Sequence, residues 1–229
     1  VDAMYQNYQG VSTYNSVQNG NIQELVDSDW TQIRYLDQNH ISFRKGPGNM
    51  PENELAGIRY VLAESDCLIL GDYKVWKQVG HIYIYKNDTI DGICSYYDEN
   101  DVTVVDQDEI KVKQSKLDQE ADLDFNKQLR DDRVDGKVTA SEDGYLIIAY
   151  PFESGWKAYV DGQEVETFKA NKAYQAVKLS AGTHEVALRF YCPLVRESLI
   201  VTLVSLLIFA GTWVYSARKR RTACKSSTK

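Results

Sequence analysis

From Ser198 to Ala217 the chain runs twenty residues without a charge: Ser-Leu-Ile-Val-Thr-Leu-Val-Ser-Leu-Leu-Ile-Phe-Ala-Gly-Thr-Trp-Val-Tyr-Ser-Ala. A helix needs about 20 such residues to cross ~30 Å of hydrocarbon. A core helix of that length would carry a polar face, whereas only scattered Ser and Thr interrupt this one. Arg196 and Glu197 close one side and Arg218-Lys219-Arg220-Arg221 the other. The segment reads as a transmembrane helix, placed at residues 194–217, with Trp213 and Tyr215 where an aromatic belt would lie.

Orientation follows from the flanks. Arg218, Lys219, Arg220, Arg221, Lys225 and Lys229 follow the span, and no Asp or Glu does. Everything before Arg218 therefore holds 20 of the 26 basic residues against 33 acidic ones, a formal charge of -13. The positive-inside rule makes residues 218–229 a basic cytoplasmic tail and the long acidic part extracytoplasmic. An acidic domain of this kind has no electrostatic grip on phosphate backbones, so nucleic acid is not an expected partner, and the lipid bilayer is. Val1 opens into Asp-Ala-Met-Tyr with no charged n-region and no apolar h-region. The expectation is a fragment of a longer membrane protein whose upstream spans carry this part outside.

Four cysteines, Cys67, Cys94, Cys192 and Cys224, make no CxxC. With Cys224 on the cytoplasmic side, at most one pair forms outside, and Cys67 with Cys94 is one candidate among the possibilities. His40, His81 and His184 lie far apart with no metal-ligand spacing. Neither a metal nor another cofactor is expected.

Residues 1–100 read as a mixed α/β extracytoplasmic subdomain. Asn21–Trp30 follows a turn and suits a short helix, and Pro51–Ala56 has Pro and acidic residues where a first helical turn wants them. Ile58–Ala63 reads as a strand. Tyr73–Val79 and His81–Lys86 read as a hairpin across Gly80. Residues 101–135 are dense in Asp, Glu, Lys and Gln and read as a polar connecting segment. Leu117, Ala121, Phe125 and Leu129 recur every four residues, the spacing of a surface helix.

Residues 136–193 read as an antiparallel β-sandwich of jelly-roll or immunoglobulin-like type, giving an α+β chain that ends in one membrane helix. Tyr145–Tyr150 is a continuous apolar run between Asp143-Gly144 and Pro151, the pattern of a buried strand. Trp156–Val160, Asp161-Gly162 and Gln163–Phe168 spell a hairpin with a type I′ turn. Ala173–Leu179 and Glu185–Tyr191 supply further strands, the latter with Val186, Leu188 and Phe190 on one face.

Little chemistry is visible. Asp106/Asp108, Asp122/Asp124 and Asp131/Asp132 pair as dense surface carboxylates do by chance. GxSxG, HExxH, phosphate-cradling and EF-hand patterns are missing. Asn87-Asp-Thr89 matches a glycosylation sequon, which carries no meaning in a bacterium. Exposed aromatics suit a sugar-stacking platform, although strands favour Tyr and Trp for packing alone. Trp156, after Gly155 at the start of a strand, is the single candidate for a ligand contact, with a core role as the alternative.

Tyr150-Pro-Phe-Glu-Ser-Gly-Trp-Lys-Ala-Tyr-Val-Asp-Gly162 resembles the C-terminal region of the YfhO family of bacterial multi-span membrane proteins. So do Lys169-Ala-Asn171, Leu179-Ser-Ala-Gly-Thr-His-Glu-Val186 and Tyr191-Cys-Pro193 before a last span. Tyr8–Ser16, Leu55–Val61 and Ile84–Asn87 extend the resemblance over nearly the whole chain. The resemblance implies a polytopic glycosyltransferase of the GT-C type. Such an enzyme takes sugar from a polyprenyl-phosphate carrier and places it on a cell-envelope polymer such as lipoteichoic acid. The catalytic carboxylate of such enzymes lies in an early outer loop that this sequence lacks, so no catalytic residue is carried over. The residues alone support equally a non-enzymatic envelope-binding or scaffolding domain, while a sensor role has no room in the short tail.

Overall fold

The computed structural model describes residues 13–14, 20–28, 33–37, 40–43, 55–63, 73–90, 92–112, 121–125 and 132–226. The described residues up to Phe190 form one compact unit, and those from Tyr191 onward a second.

The first unit opens with strand β1 (Thr13–Tyr14), helix α1 (Gly20–Ser28) and strands β2 (Ile33–Asp37) and β3 (His40–Phe43). β1, β3 and β2 form a small antiparallel sheet. Strands β4 (Tyr60–Ala63), β5 (Lys74–Val79) and β6 (Ile82–Lys86) make a second one, ordered β4-β6-β5. Its β5–β6 turn passes through Gly80 at φ +62, where a side chain would be strained. Most of Pro51–Ala56 lies outside the described residues.

The sandwich is built from β7 (Cys94–Asp98), β8 (Val102–Val104), β9 (Glu109–Val112), β10 (Ala121–Phe125), β11 (Arg133–Ala140) and β12 (Gly144–Pro151). It continues with β13 (Trp156–Val160), β14 (Gln163–Val165), β15 (Thr167–Ala170), β16 (Tyr174–Leu179) and β17 (Gly182–Phe190). A six-stranded sheet runs β7-β12-β16-β15-β9-β8 and a five-stranded sheet β10-β11-β17-β13-β14.

The apolar run of β12 is explained by burial on both faces. Leu146 and Ile148 point with Val177 and Leu179 into the core between the two sheets, where Val138, Val186 and Leu188 meet them. Tyr145 and Ile147 point the other way, into a second core with Leu25 of α1, Leu55, Ile110, Tyr174 and Ala176. The alternation in β17 is the one-sided case, with Val186 and Leu188 inward. Its opposite face is polar, and Lys137 lies directly across from Glu185 with their charges 3.3 Å apart. Gly144 is needed because a Cβ there would strike the Tyr97 carbonyl of the neighbouring strand.

Three sequence expectations meet a different structure. Residues 101–135 hold β8, β9 and β10, so their described parts belong to the sandwich sheets, as does β7 from the expected N-terminal subdomain. The helical spacing over 117–129 gives way to strand β10 at 121–125, where Ala121, Leu123 and Phe125 pack on the core and Asp122 and Asp124 face water. The acidic residues hide a period of two. Gln163–Phe168 is two strands, since β14 pairs with β13 in one sheet and β15 with β16 in the other. The sandwich is antiparallel save at one pair, β9 beside β15, where Lys169 lies across from Glu109 with their charges 3.0 Å apart. That contact holds the Lys169 ammonium above its ordinary value.

The second unit is helix α2 (Val195–Ser226), of which Val195–Ser216 is long and apolar enough to cross a membrane. Three of its hydroxyls are satisfied within the helix. Thr202 donates to the Ser198 carbonyl (2.8 Å), and Ser205 to that of Val201 (2.8 Å). Thr212 does the same to that of Phe209 (2.8 Å). Turned back on the backbone, these hydroxyls cost little in hydrocarbon.

Candidate functional site

Trp156 opens β13 after a tight turn in which its N–H donates to the Glu153 carbonyl (3.1 Å). Its indole stands between Tyr150, centroids 5.1 Å apart at 64°, and Phe190, 5.3 Å apart at 58°. Phe190 is its direct cross-strand neighbour. With 8% of its surface exposed, the ring closes one end of the sandwich core. Beside it, β12 bulges between Ile148 and Pro151, and the wholly buried Gln175 donates from Nε2 to the freed Pro151 carbonyl (3.0 Å). The region is built for packing.

At one end of the sandwich, three turns converge on a constellation that no sequence spacing announced. The Asp161-Gly162 turn has φ +51 and +80, the type I′ geometry its residues suit. Asp161 then reaches β17: Oδ1 accepts from the Glu185 N–H (2.8 Å) and Oδ2 from His184 Nδ1 (2.7 Å). His184 Nε2 lies 3.1 Å from Ser180 Oγ and 3.2 Å from the Ser180 carbonyl. A neutral ring accepts the hydroxyl proton there, and a charged ring donates to the carbonyl. The His184 hydrogen bond first, and the Glu185 N–H second, hold the Asp161 carboxyl below the usual carboxylate range.

Ser, His and Asp at these distances are the geometry of an activated nucleophile. Catalysis also needs an oxyanion donor, commonly the N–H after the serine. Here the Ala181 N–H donates to Asp143 Oδ1 (2.7 Å) and is spent. The arrangement ties the Asp143, Asp161 and Ser180 turns together. It is a latch.

The other candidates are spread apart. Arg133 is paired with Asp132 (3.5 Å) and Lys137 with Glu185 (3.3 Å). Asp122, Asp124, Asp106 and Asp108 are exposed. Among the described residues no three His, Cys, Asp or Glu side chains are grouped to hold a metal. Cys94 is a free thiol that burial pushes up, far from thiolate formation, and its sequence-suggested partner Cys67 lies outside the described residues. Burial, then the nearby Asp143, Asp98 and Glu99, pushes the Tyr96 phenol up to about 12, and its hydroxyl donates to the Glu142 carbonyl (2.8 Å). The sequon fails sterically: Asn87 is fully buried, with Oδ1 accepting from the Thr89 N–H (2.9 Å) and hydroxyl (2.6 Å). Trp76 is the exposed tryptophan of the first unit's described residues, edge-on to Tyr60 at 5.8 Å.

Residues 95–202 match the family described as bacterial membrane protein YfhO. The chain is 30% identical over 112 residues to a protein of Bacillus subtilis (strain 168) described as uncharacterized protein YfhO. That match covers 49% of this chain and 12% of the relative, so the chain spans only a small part of the protein it resembles. No solved structure matches.

Proposed function

We propose that this chain, whose residues 95–202 match the family described as bacterial membrane protein YfhO, serves as an outer domain of a polytopic glycosyltransferase. In this reading the larger protein moves sugar from a polyprenyl-phosphate carrier to a cell-envelope polymer such as lipoteichoic acid. The sandwich itself is non-catalytic and lies outside the membrane, beside the acceptor, and residues after the span are cytoplasmic.

One observation carries the reading. The family match starts within β7 and ends inside α2, so the matched unit is the sandwich together with the start of its membrane helix. A free-standing binding module needs no such joint unit. The acidic charge of the outer part disfavours tight capture of a polyanion, which suits a domain that orients an acceptor and then releases it.

The test is genetic. In a strain lacking the gene, sugar substitution of the envelope polymer is measured by NMR of purified polymer. Substitution is expected to vanish, to return with the whole gene, and to stay absent with a gene missing residues 95–190. Unchanged substitution in the deletion strain would overturn the proposal and leave an envelope-binding domain.

A further inference from the structure

The sheet β4-β6-β5 presents a face that no other described part of the chain covers. Its three strands hold fifteen residues, Tyr-Val-Leu-Ala, Lys-Val-Trp-Lys-Gln-Val and Ile-Tyr-Ile-Tyr-Lys, with three lysines and no Asp or Glu. This occurs in a chain with 33 acidic residues. The inner face is covered at β4 and β6, where Val61 and Tyr85 pack with Tyr73 and Ile90, while β5 is exposed along its length.

Register defines the outer face. Tyr60, Lys86 and Lys74 make one row, Leu62, Ile84 and Lys77 the next, and Ile82 and Val79 the last. Trp76 sits at the irregularity between Val75 and Lys77, and its ring meets Tyr60 on this same face. Leu62 is 62% exposed and Trp76 58%. Lys86 is paired with Asp88, while Lys74 and Lys77 make no ion pair among the described residues.

The geometry points to this face as a docking surface for an anionic lipid bilayer. Trp and Tyr rings with lysines around an aliphatic centre are the composition that settles at a membrane interface, rings at headgroup depth and ammonium groups on the phosphates. A sugar site needs carboxylates or carboxamides beside its aromatic rings to hydrogen-bond the hydroxyls. The carboxylate beside this face, Asp88, is engaged by Lys86, and the centre of the face is aliphatic. A second copy of the chain would set Lys74 and Lys77 against their like. In the chain, Tyr191–Leu194 connect β17 to the apolar helix α2. The inference does not depend on the enzymatic reading.

The test uses the full chain reconstituted in nanodiscs of phosphatidylcholine, with or without phosphatidylglycerol, carrying bromine-labelled acyl chains near the headgroups. The difference between wild type and Trp76→Phe isolates the Trp76 emission from the other tryptophans. That emission is expected to be quenched in the anionic bilayer. Replacing both Lys74 and Lys77 by Gln is expected to weaken docking roughly 25-fold, about fivefold per charge, and to release the quenching. Circular dichroism of both variants is expected to match wild type, since the altered side chains are exposed. Trp76 emission unquenched in both bilayers would overturn the proposal. So would protection of Trp76 by a soluble poly(glycerol phosphate) with no bromine quenching, which would make the face a polymer site.

Discussion

Replacing Trp156 by Ala separates its two candidate roles. A tryptophan side chain removes roughly 150–250 Å² from water when buried. At about 25 cal/mol per Å² this is about 4–6 kcal/mol of transfer free energy. Ala keeps the Cβ, and the residual exposure of 8% trims the sum slightly. The expected loss is then about 3–5 kcal/mol, in the range found for large aromatic truncations. It includes the ring contacts with Tyr150 and Phe190, each worth roughly 0.5–1.5 kcal/mol. Trp156→Phe keeps a ring in the same slot and is expected to cost about 1–2 kcal/mol. The assay is urea denaturation of the full chain in detergent, followed by the protease resistance of the sandwich. An unchanged midpoint in the Trp156→Ala variant would refute the packing account and return Trp156 to the role of a ligand contact.

Three further outcomes follow from the same structure. Because Asp161 titrates below its unfolded value of about 3.9, its stabilisation is fully present above that pH and is lost as pH falls through the folded value. The difference in urea midpoint between wild type and Asp161→Asn should therefore close in strong acid, below about pH 4; a gap that widens there would contradict the latch. Gly144→Ala should cost about 2 kcal/mol or more, because the new Cβ meets backbone of β7 that cannot move aside, whereas Gly162→Ala, at φ +80 but in open space, should cost about 1 kcal/mol; equal costs in denaturation would contradict the register. In a Cys67→Ser, Cys224→Ser background, a thiol reagent at pH 8 should modify the exposed Cys192 within minutes and Cys94 only after unfolding.

The sandwich was legible wherever turn chemistry bracketed a clear period. Asp161-Gly162 gave its hairpin, and Tyr145–Tyr150 declared a strand buried on both sides. It was illegible where charge density masked alternation. Glu109-Ile-Lys-Val112 has Ile110 and Val112 inward, yet its acidic surroundings read as linker. Ala121–Phe125 shares its spacing with a helix, because Ala121 and Phe125 satisfy a step of four as well as two steps of two. Tertiary pairing with β11 decided between them. The switch of sheets between β14 and β15 leaves no trace in composition. The latch joins residues 23 apart whose meeting depends on β13 lying beside β17, a fact of topology. Trp156 announced itself by type and position, but only its neighbours Tyr150 and Phe190 show what the ring does.

The most direct trial of the account is sugar transfer in isolated membranes. Vesicles carrying the whole gene product, supplied with a radiolabelled polyprenyl-phosphate sugar and purified envelope polymer, should label the polymer. Vesicles whose protein lacks residues 95–190 but inserts normally should not. Equal labelling by the two preparations would contradict a role for the sandwich in transfer, and no labelling by either would contradict the glycosyltransferase itself.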